Sequence, residues 1–283
     1  MKVEIRYAAA YTYVRRVSFS PHLFRLLPKV DRHLNVRRFD FATNRDAVVN
    51  WRRDLFDNEI GSCFYPTAAT TLSVRLKLVL ELEPKNAFGF LLDQYALHLP
   101  FPYRPAELRV LGPYLQPTEP TPPLGFWRPP VTQRPTVDAL VELNSALHTH
   151  LAYERRDEGA ARPAAETLRL GHGSCRDFAV VLVEVLRGLG LAARHASGYL
   201  CEFGDGEKRA EGALHAWVET FLPGAGWVGL DPTNGTLCDH HHLTAAVGLT
   251  PADISPIVGS YYHQTAVPHE MEAQLSIVPH ARS

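Results

Sequence analysis

Three residues carry the types and spacing from which chemistry can be built: Cys175, His215 and Asp231. A cysteine offers a nucleophilic sulfur, a histidine moves protons near neutral pH, and a carboxylate can orient that histidine. Together they are the nucleophile, base and orienter of acyl transfer by a thiol. Each also has a plainer reading. A lone cysteine on an apolar face is usually inert core. A strand histidine is usually structural, and an aspartate before Pro232 is an ordinary strand-ending turn residue. Placement is what separates the two readings.

The stretch "LGHGSCRDFA" (170–179) leads a glycine-rich turn into an apolar run that begins at Cys175. Ser174, followed three residues later by Asp177, fits a capping box and puts Cys175 in the first turn of a helix. A thiol there lies among unpaired N–H groups at the positive end of the helix dipole, which favours thiolate. The same N–H groups, that of Cys175 among them, can bind an oxyanion. Asp177 works slightly against the thiolate. Phe178, Val181, Leu182, Val185, Leu186 and Leu189 form the apolar face, and Arg176, Asp177, Glu184 and Arg187 gather opposite, with Cys175 at the apolar edge.

The base is sought downstream, in "ALHAWVETFLPGAGWVGLDPTNG" (213–235). As strands around a "PGAG" turn, these residues put His215, Trp217 and Glu219 on one face, and Trp227, Gly229 and Asp231 on a face of the returning strand. Pairing Glu219 with Trp227 and Trp217 with Gly229 sets His215 opposite Asp231, with Cβ atoms about 5 Å apart. A slip of one residue would send the two side chains to opposite faces. His172, three residues before Cys175, is a second candidate base, better read as a turn residue. Glu219 reads as a solvated strand residue, and Trp217 and Trp227 as core or pocket wall.

"CDHHHLT" (238–244) holds zinc-ligand types. Consecutive residues of a strand or loop are not expected to converge on one ion, and no second ligand pair stands at helical spacing. No metal or cofactor is therefore expected, and His240–His242 are placed in a loop near the strands.

The elements that must position these residues follow from periodicity. Leu72, Val74, Leu76, Leu78, Leu80 and Leu82 alternate without a break, a half-buried strand. "VEIRYAAAYTY", "VRRFDFAT" and "FDNEIGSCFY" read as further strands, with Asp57-Asn58 a hairpin turn. Residues 1–105 are expected to form an N-terminal antiparallel β-sandwich or barrel. Nine of the 22 prolines fall between 105 and 135, so 106–134 reads as a stiff linker where regular structure largely stops. "TVDALVELNSALHTHLAYERR" then predicts a helix capped by Thr136 with Leu140, Leu143 and Leu147 inward. The Cys175 helix ends near Gly188–Gly190, and strands follow at 193–200, 214–222 and 227–231. The whole is α+β, with a catalytic domain over 135–265 and a C-terminal tail over 266–283.

Composition limits the alternatives. With 283 residues, 46% hydrophobic and 21% charged, the chain can bury a large core. Lys plus Arg number 29 against 30 Asp plus Glu, so no basic field draws in nucleic acid or an anionic membrane. The opening "MKVEIRYAAAYTYVRR" lacks the apolar run of a signal peptide, and no apolar run approaches a membrane span. A cytoplasmic chain is expected. Four scattered cysteines, at 63, 175, 201 and 238, are expected to be reduced.

Taken together, these segments resemble the transglutaminase-like superfamily. "GHGSCRDFAVVLVEVLRGLGLAARHASGYL" is similar to its nucleophile helix and following strand, and "HAWVE" and "GWVGLDPTNG" to its histidine and aspartate segments in the same order. The resemblance runs over roughly 140–235. "RDLFDNEIGSCFYP" resembles the β domain that precedes this core in bacterial members, with Asp57 where a glycine is common. "HHLTAAVGLTPADISPIVGSYY" is similar to their C-terminal stretch, with Leu249 where an arginine is frequent. The resemblance implies a papain-like/transglutaminase-like core with the nucleophile helix packed on an antiparallel sheet. It implies Cys175 as nucleophile, His215 as general base and acid, and Asp231 as the group orienting His215. The substrate would be a peptide or protein carrying a carboxamide or peptide bond, opened through a thioester without a metal. Hydrolysis, protein cross-linking and a non-catalytic binding module stay open; the lack of calcium-loop motifs favours hydrolysis.

Overall fold

The computed structural model describes residues 1–44, 46–120, 123–129, 131–156, 159–201 and 213–279. Strands β1 (Lys2–Phe19), β2 (His22–Phe24), β3 (Leu34–Thr43), β4 (Val48–Arg53), β5 (Glu59–Phe64) and β6 (Ala69–Leu82) build the N-terminal part. The alternation in β6 does what its period requires: Leu72, Val74, Leu76, Leu78, Leu80 and Leu82 are all buried. Two antiparallel sheets share the core formed by Val3, Ile5, Phe24, Cys63, Leu78 and their neighbours.

Next come α1 (Pro105–Leu111), α2 (Thr136–His150), α3 (Ala164–Leu170) and α4 (Cys175–Gly188). A five-stranded sheet, ordered β10-β9-β8-β7-β11, is made by β7 (Ala193–Leu200), β8 (Ala213–Leu222), β9 (Gly226–Asp231), β10 (Thr236–Leu237) and β11 (His242–Gly248). Phe178, Val181, Leu182, Val185 and Leu186 of α4 are buried in one core with Val218, Leu222, Val228 and Leu230 of that sheet. Each such side chain contributes about 1.5–3 kcal/mol. Their sum outweighs the ~1 kcal/mol of a good N-cap, so packing rather than capping anchors the helix.

The tail does not stand apart. After the core sheet, β12 (Ile257–Val258) pairs with β2, β13 (Tyr261–Tyr262) pairs with β1, and β14 (His269–Pro279) runs antiparallel along β1 from Val3↔Pro279 to Tyr13↔His269. The expected tail 266–283 is thus a strand of the N-terminal sheet from His269 to Pro279, 280–283 lying outside the described residues. β1 would otherwise expose one edge of backbone donors and acceptors, and β14 covers it.

The expected linker is likewise more than a spacer. It includes most of α1 and a 3₁₀ turn at Gly112–Leu115, and Leu111, Leu124 and Trp127 lie buried in the α4 core; residues 121, 122 and 130 fall outside the described set. Thr136 is the first residue of α2 rather than its cap: its hydroxyl donates 2.6 Å to the Ala96 carbonyl.

The N-terminal β region and the core sheet are bound side chain to backbone. Asn58, fully buried, donates from Nδ2 to the Val247 carbonyl at 2.8 Å and accepts the Val247 N–H at 2.9 Å. The Tyr199 hydroxyl donates to the Leu26 carbonyl at 2.8 Å. Asp57, in the glycine-preferring place beside Asn58, has φ 60, the left-handed conformation that explains the usual glycine. Among the described residues no helix is long and apolar enough to cross a membrane.

Candidate active site

The turn into α4 is shaped by two glycines. Gly171 ends α3 in the left-handed region at φ 72, and a Cβ on Gly173 would come within 2.8 Å of Asp177 Cβ. Half of the anticipated capping box forms. Asp177 Oδ2 accepts the Ser174 N–H at 2.7 Å, while the Ser174 hydroxyl donates to that same carboxylate at 2.9 Å. Cys175 therefore begins the helix, half-buried, beside Ala216, Ala246 and Ile254.

The polar side of α4 is not a solvated face. Asp177, Glu184 and Arg187 are all buried. Asp177 Oδ1 takes Arg156 Nη2 at 2.8 Å and the Arg162 N–H at 2.7 Å. Glu184 accepts the Thr118 N–H at 2.9 Å and its hydroxyl at 2.6 Å, and Arg187 donates to the carbonyls of Gln116, Ala193 and Leu249. Residues 116–119, together with Arg156 and Arg162, cover this side, so each charge needs, and has, a partner.

His215 sits in β8 opposite Gly198 of β7, 8% exposed. Its Nε2 lies 2.8 Å from Asp231 Oδ2. That leaves Nδ1 for the Cys175 thiol, with which His215 also shares a side-chain hydrogen bond. Burial alone would strip the proton from this imidazole. The bonds to Asp231 and Cys175, with their charges, win and push its pKa up to about 9. Burial likewise opposes the Asp231 charge, yet donations from His215 and His242 hold its carboxyl far below the usual range. Asp231 Oδ1 also accepts the N–H groups of Thr233 (2.9 Å) and Asn234 (3.2 Å), and Oδ2 accepts Asn234 Nδ2 at 2.8 Å.

The three expected residues are therefore brought together, but not through the expected register. β8 and β9 pair as Glu219↔Gly229 and Phe221↔Trp227, two residues away from the pairing set out above. A two-residue shift keeps every side chain on its face, so Asp231 reaches His215 diagonally instead of directly across. The compact turn at 223–225, ahead of Trp227, sets the offset, with Gly226 paired to Leu222.

The other candidates resolve differently. His172 Nδ1 bonds Glu154 Oε2 at 2.9 Å. Glu219 is not a solvated strand residue: it pairs with Arg194 at 2.6 Å, 13% exposed, and Arg194 lies 4.1 Å above the Trp227 ring. Trp217 is buried, stacked 6.2 Å from His215 and edge-on 5.4 Å from His242. Its cluster of Ala196, Cys238 and Val247 is closed by Phe56 from the hairpin between β4 and β5.

Asp239, His240 and His241 bring one ligand atom each within 4.8 Å of one another, so consecutive residues do converge here, because a turn rather than a strand carries them. Asp239 is already shared between His241 (2.9 Å) and His242 (3.5 Å). The contacts of His242 and Asn234 with Asp231 were missed in the sequence. Asn234, three residues past Asp231 in a proline turn, left a readable signal; His242, eleven residues away, left none.

Residues 129–232 match the model of the transglutaminase-like superfamily, and 3–81 match that of the bacterial transglutaminase-like N-terminal region. Residues 129–232 belong to the transglutaminase-like superfamily. The superfamily match contains Cys175, His215 and Asp231 and ends one residue after the last of them, leaving Asp239 and His242 beyond it.

An uncharacterised protein of Mycobacterium tuberculosis is 35% identical over 137 residues, 46% of this chain and 44% of that protein. One of Mycobacterium leprae is 33% identical over 105 residues, 36% of this chain and 37% of that protein. The chain spans less than half the length of these curated relatives. A solved "Putative Cysteine Protease" from Cytophaga hutchinsonii shares the fold over 100% of this chain and 92% of its own, with TM-score 0.66 and 16% identity.

Proposed function

We propose that this transglutaminase-like chain is a thiol-dependent acyl-transfer enzyme that hydrolyses peptide or carboxamide bonds. The observation that carries the reading is the bonded series Cys175–His215–Asp231, with the imidazole buried, its carboxylate ionised and the thiol at a helix N-terminus.

His215 takes the Cys175 proton, and the sulfur attacks the substrate carbonyl carbon. The oxyanion so formed lies where the Cys175 N–H can donate. His215 returns the proton to the departing ammonia or amine as the carbon–nitrogen bond breaks, leaving a thioester. Water, deprotonated by His215, then attacks the thioester, and the acid leaves as the thiol is regenerated. An amine in place of water would give cross-linking, the second product the same site allows.

The test is a glutamine-containing peptide library incubated with and without a primary amine and read by mass. Hydrolysis predicts cut chains or a glutamine-to-glutamate mass change without amine incorporation, and Cys175→Ser at the no-enzyme rate. Dominant amine incorporation would replace hydrolysis by cross-linking; wild-type turnover no greater than that of C175S would remove the enzyme reading altogether.

Thiol selectivity is a companion measurement. Burial pushes up the thiols of Cys63 and Cys201, the latter to about 12, and burial with the nearby Asp231 charge raises that of Cys238. Iodoacetamide is expected to label Cys175 at least tenfold faster than these three, on the order of one unit of difference in thiol reactivity; equal labelling would contradict the nucleophile.

A further inference from the structure

Asp231 serves two histidines. Its Oδ2, which meets His215 Nε2 at 2.8 Å, also lies 3.2 Å from Nε2 of His242. His242 opens β11, with its side chain 6% exposed, and both imidazoles flank the same Trp217 indole.

The second histidine is itself held. The Asp239 N–H points at His242 Nδ1 at 3.3 Å, so in the neutral ring that nitrogen accepts. A neutral imidazole that accepts at Nδ1 carries its hydrogen on Nε2, where it can donate to Asp231. The Asp239 carboxylate stands 3.5 Å from the same Nδ1 and is tied to His241 through its N–H and ring. The backbone turn at 239–242 thereby selects the tautomer that Asp231 requires.

We infer that His242 is a positioning residue for this site: with its tautomer set by Asp239, it holds the Asp231 carboxylate so that Oδ2 stays on His215 Nε2 and Nδ1 stays on the Cys175 thiol. The inference rests on the proposed role of Cys175 as nucleophile. Its expected size is limited by the other restraints. Asp231 Oδ1 is pinned by two turn amides and Oδ2 by Asn234, so losing the His242 donation loosens the carboxylate without freeing it. A loss of about tenfold is expected, in the range for removing an outer partner of a site residue, and well short of losing the aspartate itself.

The experiment compares His242→Gln with His242→Met. The two side chains are alike in length, and only glutamine keeps an N–H for Asp231. The readouts are kcat and KM on the peptide substrate, the pH profile of Cys175 alkylation by iodoacetamide, and the thermal midpoint. H242M is expected to lower kcat about tenfold with KM within about twofold, and to shift the alkylation profile; H242Q is expected to recover most of both. Equal behaviour of H242Q and H242M, or a wild-type alkylation profile in H242M, would overturn the inference.

Long-range proton–nitrogen NMR of the wild-type protein needs no variant: hydrogen on Nε2 of His242 supports the inference, and a neutral Nδ1–H ring defeats it. Failure of the enzyme reading is distinct, since it shows as wild-type turnover no greater than that of C175S, whatever the His242 tautomer.

Discussion

The core sheet buries a histidine at each of two places, and they behave oppositely. His215 in β8 is 8% exposed and His195 in the neighbouring β7 is 3% exposed. His215 is raised to about 9, while His195 falls to about 3 under burial and the nearby Arg187 charge. Burial is common to both and lowers both. What differs is the company: an ionised aspartate and a thiol at one place, a buried guanidinium at the other. A buried imidazole becomes a usable base only where a carboxylate offsets its desolvation. At the His215 end of the sheet the surroundings favour the protonated ring, and at the His195 end they favour the neutral one.

The largest effect should come from removing that carboxylate. Asp231→Asn is expected to cost about 10⁴-fold in kcat, the scale seen when a triad aspartate is lost, and to drop the His215 pKa below its ordinary value. NMR titration of His215 checks the second part; a pKa still near 9 would break the comparison. The pH signs are opposite for the two residues. The His215 contribution to stability is full below the unfolded value of 6.5 and is lost as pH rises through about 9. His195 binds its proton in the unfolded chain first, so its cost grows as pH falls from 6.5 toward 3.

His195→Leu should accordingly stabilise the protein in acid, by about 2 kcal/mol at pH 5 relative to pH 7, from 1.36 kcal/mol per unit. Chemical denaturation at the two pH values measures it, and an unchanged difference would mean that His195 titrates normally. The smallest effect sharpens the comparison from outside the sheet. Phe56, half-buried, closes the cluster around Trp217, against which both His215 and His242 lie. Phe56→Ala should cost about 1–2 kcal/mol, less than the 3–5 of a fully buried phenylalanine, and should lower kcat while leaving the His195 titration untouched. A shifted His195 would show that the two places are coupled.

Much of the site was legible because its signals are local. The position of Cys175 in a first turn follows from Ser174, Asp177 and the 3.6-residue spacing of Phe178 to Leu186, and those apolar residues are buried as the spacing requires. His215 and Asp231 were legible as members of one hairpin, and they survived a wrong register because a shift of two preserves the face. The covered polar side of α4 was not legible. Asp177, Glu184 and Arg187 look like a solvated stripe until residues 116–119, Arg156 and Arg162, far away in sequence or without periodicity, fold over them.

By itself, the sequence determined the elements and their inward faces: the period-two run of β6, the helix that begins at Cys175, and the hairpin that holds His215 and Asp231. Period and turn chemistry are properties of neighbouring residues and need no fold to be read. Only the tertiary structure decided that β14 lies along β1, that Asn58 is hooked to Val247, and that His242 joins His215 on Asp231. Those pairings connect residues up to 276 positions apart, as in Val3↔Pro279, where no local pattern names the partner and the choice is made by which edges and charges remain unsatisfied.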